Sequence, residues 1–117
     1  MNSFVSAGFF GTLIIMLFAY MKISRRLKRK MVAAHISNGA MIVDVRTPGE
    51  FGGGHYNGAI NIPLDKISKN ISKMGSKDRS VIVYCASGAR SSSAAGILKK
   101  SGFNNVCNAG SIANMPK

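Results

Sequence analysis

Acidic residues are scarce in this 117-residue chain: Asp44, Glu50, Asp65 and Asp78 stand alone against 16 lysines and arginines. Cysteine is scarcer, with only Cys85 and Cys107. An isolated pair excludes the dense cysteine framework of small secreted domains, and both are read as free thiols. Histidine is limited to His35 and His55, neither of them set in a metal-ligand motif, so no metal site is expected. There is no internal repeat and no low-complexity tract.

The net charge of +12 would suit nucleic acid until its distribution is read. Lys22, Arg25, Arg26, Lys28, Arg29 and Lys30 hold half of the excess in one short segment with no acid beside them. That placement points to the surface of a membrane, with lipid contacts through residues 2–30, and not to a groove for nucleic acid.

Ahead of this cluster, Asn2 to Met21 is an uncharged run of 20 residues rich in Phe, Leu, Ile, Met and Ala. As a helix it would extend about 30 Å, the depth of bilayer hydrocarbon. A secretory signal would carry positive charge before the apolar run and small residues after it, whereas Tyr20, Met21 and Lys22 follow here. The sequence therefore predicts a transmembrane helix over 2–21, a basic juxtamembrane linker over 22–30 and a globular domain over 31–117. The positive-inside rule places that domain on the cytoplasmic side of a single-pass protein. Ser3, Ala7 and Gly11 form a stripe of small residues through which two helices could pair in a weak homodimer.

The globular part alternates short apolar runs with amphipathic stretches. Met31 to Asn38 reads as a short helix stopped at Gly39. Met41 to Val45 is a β-branched run suited to a buried parallel strand, ending where Arg46-Thr47-Pro48 forces a loop. Gly58 to Pro63 is a second strand, and Leu64, Ile67, Ile71 and Met74 share the apolar face of a helix over Leu64 to Met74. Ser80 to Tyr84 is the clearest buried strand, Ser92 to Lys100 a helix stopped by Gly102, and Asn105 to Cys107 a last strand. This order predicts an open, mostly parallel α/β sheet flanked by helices.

In such a sheet, reactive groups collect where strands end and helices begin, and Cys85 stands at that point. A thiol attacks as its thiolate, which inward-facing amides and the start of a helix stabilise. Ala86, Ser87, Gly88 and Ala89 are small enough for a tight loop whose amides turn toward the sulfur, and Arg90 closes it with a positive charge.

The run Asp44-Val45-Arg46, then Glu50-Phe51, then Gly54-His55-Tyr56-Asn57-Gly58-Ala59-Ile60-Asn61-Ile62-Pro63, the loop Cys85 to Arg90 and the ending Asn108-Ala109-Gly110 together resemble the single-domain rhodaneses. The small phage-shock-type thiosulfate sulfurtransferases are the nearest type, and the likeness covers about Gly39 to Gly110. It implies a rhodanese-like fold and a relay without cofactor, in which Cys85 takes a sulfane sulfur from a small sulfur-containing anion or persulfide and passes it to a thiol or other thiophilic acceptor. Ala86 to Arg90 would bind the substrate; Asp44, Arg46, His55 and Ser91 would support the site. The sequence departs from the family pattern at Ala86, where thiosulfate-using members often carry a basic residue, and the usual first strand gives way to the basic linker.

Two rivals share these residues. A cysteine phosphatase or arsenate reductase characteristically has five residues between Cys and Arg, and here there are four. A non-catalytic rhodanese module that recruits partners to the membrane would usually lack the cysteine, which is present.

Overall fold

The structure is a computed structural model. It describes the backbone of residues 2–117 and side chains from Gly8 onward, so Ser3 and Ala7 of the small-residue stripe lie outside the described side chains. Helix α1 runs unbroken over Asn2–Ser37. No glycine or proline occurs between Thr12 and Asn38, and Leu, Met, Ala, Lys and Arg are good helix formers, so the basic stretch continues the apolar helix directly into the residues expected to form a separate short one. Gly39, at φ 81°, ends it.

By length and composition α1 is apolar enough to cross a membrane near its N-terminal end. Its large apolar side chains from Phe9 to Leu27 are exposed. Farther along, Val32 is fully buried and Ile36 packs beside it, docking the last turns of α1 on the globular core.

Four parallel strands form the sheet, β1 (Met41–Asp44), β2 (Ile60–Asn61), β3 (Ser80–Cys85) and β4 (Asn105–Ser111), in the order β2-β1-β3-β4. This is the α/β architecture read from the sequence, and no strand precedes β1 among the described residues. Side chains alternate between faces. Val43, Val81, Val83 and Cys85 pack with Ala94, Leu98 and Phe103 on one face, while Ile42, Ile82, Tyr84 and Cys107 meet Val32 and Met115 on the other. Burying a Val, Ile or Leu of this kind is worth about 1.5 to 3 kcal/mol, so both layers contribute to holding the sheet.

Several elements differ from expectation. The second strand is shorter, and β4 is longer, with a register shift where Tyr84 pairs Gly110 after Val83 pairs Asn108. Leu64 to Met74 is not one helix: a 3-10 turn (Leu64–Lys66), helix α3 (Ile67–Asn70) and a second 3-10 turn (Ile71–Lys73) follow one another. Ser68, Asn70 and Ser72 favour local bonds over a long helix, and the Asn70 amide donates to the Lys66 carbonyl at 2.8 Å. The apolar face survives this division, with Ile67 and Met74 buried.

The loop expected at Arg46-Thr47-Pro48 instead opens helix α2 (Pro48–Gly52). Thr47 and Glu50 form a reciprocal capping box, and Pro48 suits the first turn. Helix α4 (Ala89–Lys100) starts at the end of the Cys85 loop, three residues before the expected Ser92. The chain leaves β1 toward β2 and leaves β3 toward β4, in opposite directions across the sheet. That reversal opens a crevice at the carboxyl ends of β1 and β3.

Candidate active site

Cys85 is the last residue of β3, fully buried, with its sulfur facing the start of α4. The Gly88 amide donates to Sγ at 2.9 Å and the Ser91 amide at 3.4 Å, while the thiol lies 3.6 Å from the Ser91 hydroxyl. Burial alone would raise the Cys85 pKa, but the Ser91 amide and hydroxyl and the Gly88 and Ser87 amides outweigh it and hold the thiol below its ordinary range. Cys107 gives the contrast: burial raises its pKa, and no backbone amide offsets that. Among the described residues both cysteines are free.

Loop geometry depends on Gly88. Its φ of 108° lets the chain reverse at the N-cap of α4, and a side chain there would reach within 3.7 Å of the Gly110 Cα. Ser91 is buried, with its hydroxyl 3.0 Å from the Gly88 carbonyl and 3.4 Å from that of Gly110. It ties the loop to β4 while its amide serves the sulfur. Ala86, Ser87 and Ala89 are exposed around this rim.

Arg90 turns across the crevice and forms a two-pronged ion pair with Glu50 of α2, at 2.7 and 3.0 Å. The Arg90 guanidinium, then the Thr47 amide, lower the Glu50 pKa to about 2, so the pair stays charged in all but strong acid. Glu50 is a site residue that the sequence reasoning missed; its signal was the Thr47-Pro48-Gly49-Glu50 capping pattern, which fixes the carboxylate at the start of α2. The pair joins the two sides of the topological reversal and offsets the charge expected to hold an anion.

Asp44 and Arg46 lie beneath this rim. The Asp44 carboxylate accepts from the Arg46 amide at 2.9 Å and from its guanidinium at 2.7 Å, and the same guanidinium donates to the Gly54 carbonyl at 2.7 Å. The Arg46 guanidinium also lies over the Tyr84 ring, whose hydroxyl accepts from the Tyr56 amide. Burial pushes the Tyr84 phenol up to about 12. His55 is exposed, stacked on Phe51 at 3.7 Å with its Nδ1 on the Phe51 carbonyl, away from the sulfur's contacts. Among the described residues no group of side chains could hold a metal ion.

The model of the rhodanese-like domain family matches residues 28–112. Thiosulfate sulfurtransferase PspE of Escherichia coli K12 is 40% identical over 78 residues, covering 64% of this chain and 75% of that protein. The uncharacterized protein YqhL of Bacillus subtilis is 32% identical over 111 residues, or 92% and 87% of the two chains. A solved rhodanese with anions from E. coli superposes with a TM-score of 0.62 at 37% identity, covering 67% of this chain and 95% of its own. With its parallel sheet and its cysteine loop at the end of β3, this chain belongs to the rhodanese-like domain family, among relatives that include sulfurtransferases.

Proposed function

We propose that the protein is a membrane-anchored sulfurtransferase that carries a sulfane sulfur as a persulfide on Cys85. The observation that carries this reading is the set of amides turned onto a cysteine sulfur at the mouth of a helix, with Gly88 at 2.9 Å. Such a site stabilises a sulfur anion and needs no separate base.

With thiosulfate as donor, the Cys85 thiolate attacks the outer sulfur, the S–S bond of the donor breaks, and sulfite leaves with the electron pair. Cys85 then holds a persulfide anion. A thiophilic acceptor such as cyanide attacks the terminal sulfur, forms thiocyanate and returns the thiolate. The amides of the Ala86 to Arg90 loop stabilise the anion in both states. Arg90 positions the loop through Glu50; Asp44 and Arg46 brace the rim below it. Incubation with thiosulfate should add the mass of one sulfur to the peptide bearing Cys85, removable by cyanide. Sulfur found on Cys107 alone would overturn the assignment.

The apolar part of α1 serves as the anchor, with its basic cluster and the domain on the cytoplasmic side. Both native cysteines are buried, so sidedness is better read from Lys117→Cys at the exposed C-terminal residue. A membrane-impermeant maleimide should label that variant only after spheroplasts are lysed. Labelling of intact spheroplasts would reverse the orientation.

A further inference from the structure

The cleft beside the Cys85 loop has its second wall on α1. A space of about 640 Å³ lies between Arg25, Lys28 and Arg29 on one side and Ser87, Gly88 and Gly110 on the other. Gly88 is the residue whose amide meets the Cys85 sulfur, so the cleft ends one residue from the reacting atom. α1 is tied to this position by Arg29, which donates to the Ala113 carbonyl at 3.2 Å, and by Val32 buried under the sheet. Lys28 is half-buried, and its ammonium lies 4.0 Å from where a side chain on Gly110 would begin.

The charge of this cleft is one-sided. No carboxylate lines it. Among the described residues the ion pairs are Arg46 with Asp44 and Arg90 with Glu50, which leaves Arg25, Lys28 and Arg29 without an acidic partner. Arg25 shares a helix face with Lys28 and Arg29 at spacings of three and four, where like charges repel. An anion in the cleft removes that repulsion. Arg90, the cation of the loop itself, is already matched by Glu50. The volume is in the range of small-molecule sites, roughly 300 to 1,000 Å³, and exceeds what an inorganic sulfur anion fills.

We infer that Arg25 and Lys28 of α1 are specificity-determining residues of the sulfur-transfer site, holding the carboxylates of a low-molecular-weight thiol or persulfide beside the Cys85 loop. The inference rests on the sulfur-carrier reading for its meaning, but binding can be measured without turnover. Full-length protein in phosphatidylcholine nanodiscs is titrated with S-methylglutathione, a carboxylate-bearing thioether that cannot transfer sulfur. Saturable binding is expected, weakened by salt, and about tenfold or more weaker in Lys28→Gln and in Arg25→Gln, the loss of one charge-assisted contact each. Lys28→Arg should restore it. Lys100→Gln, the same change of charge on α4, should bind as wild type does.

Absence of saturable binding, or an equal loss in Lys100→Gln, would overturn the inference. A lipid headgroup in the cleft would show as phosphatidylglycerol nanodiscs protecting Lys28 from acylation while the probe fails to bind in phosphatidylcholine, and would overturn it also. Because Arg25 is exposed, its variant remains informative if Lys28→Gln impairs folding. Probe binding without any persulfide on Cys85 would support the cleft and overturn the relay.

Discussion

Cys85→Ser should lower sulfur transfer from thiosulfate to cyanide by orders of magnitude, to the uncatalysed background, while Cys107→Ser keeps most of it. Serine fits the space, but its oxygen cannot carry a sulfane sulfur, and every other group at the site only positions or stabilises the sulfur. Cys107 packs against the opposite face of the sheet, with a raised pKa. The wild-type rate should fall in acid as the thiolate is protonated. Because the loop amides lower the Cys85 pKa, that fall should have its midpoint below the ordinary thiol value of 9.0. A stopped thiocyanate assay at fixed pH reads the first result, and single-turnover sulfite release from thiosulfate without cyanide, at several pH values, reads the second. Retained activity in Cys85→Ser would remove the residue from its role.

Asp44→Ala should destabilise the fold by about 3 to 5 kcal/mol, because it leaves the Arg46 guanidinium buried without its counter-charge. Arg46 is 8% exposed and Asp44 is fully enclosed, so water cannot replace the lost carboxylate. Urea unfolding of the full chain in detergent micelles would measure the change. A difference below about 1 kcal/mol, the value of an exposed pair, would mean that the pair is solvated in the native state. The pH dependence has a definite sign. Burial raises the Asp44 pKa, but the Arg46 hydrogen bonds outweigh burial and hold it below the ordinary Asp value of 3.8. The carboxylate therefore contributes its full stability above the unfolded Asp range and loses it as pH falls through the folded value. The gap between wild type and Asp44→Ala should persist at neutral pH and narrow only in strong acid.

The sequence made the strands legible where β-branched residues are continuous, in β1 and β3, and made the Cys85 loop legible through its small residues and glycine. It was less informative where polar residues enter regular structure. Asn108 and Gly110 concealed the length of β4, and Ser68, Asn70 and Ser72 concealed the division of the Leu64 to Met74 stretch. Pro48 on its own suggests a loop, and only together with the Thr47–Glu50 capping box does it mark the first turn of a helix. The pairing of Glu50 with Arg90, 40 residues apart, depends on the order of the strands, which local spacing does not contain. The charge of the basic stretch masks its helix propensity, which carries α1 unbroken through it.

The continuity of α1 makes it a rod that carries the rhodanese-like domain as its head. If the anchor ends near Met21, Lys28 stands about 10 Å above the bilayer surface along the same rigid axis. A flexible tether would let the head tumble and present its loop to every direction. With α1 anchored as proposed, a stiff one would fix its height and tilt, so reactants arriving along the membrane plane would meet the cleft at a constant orientation.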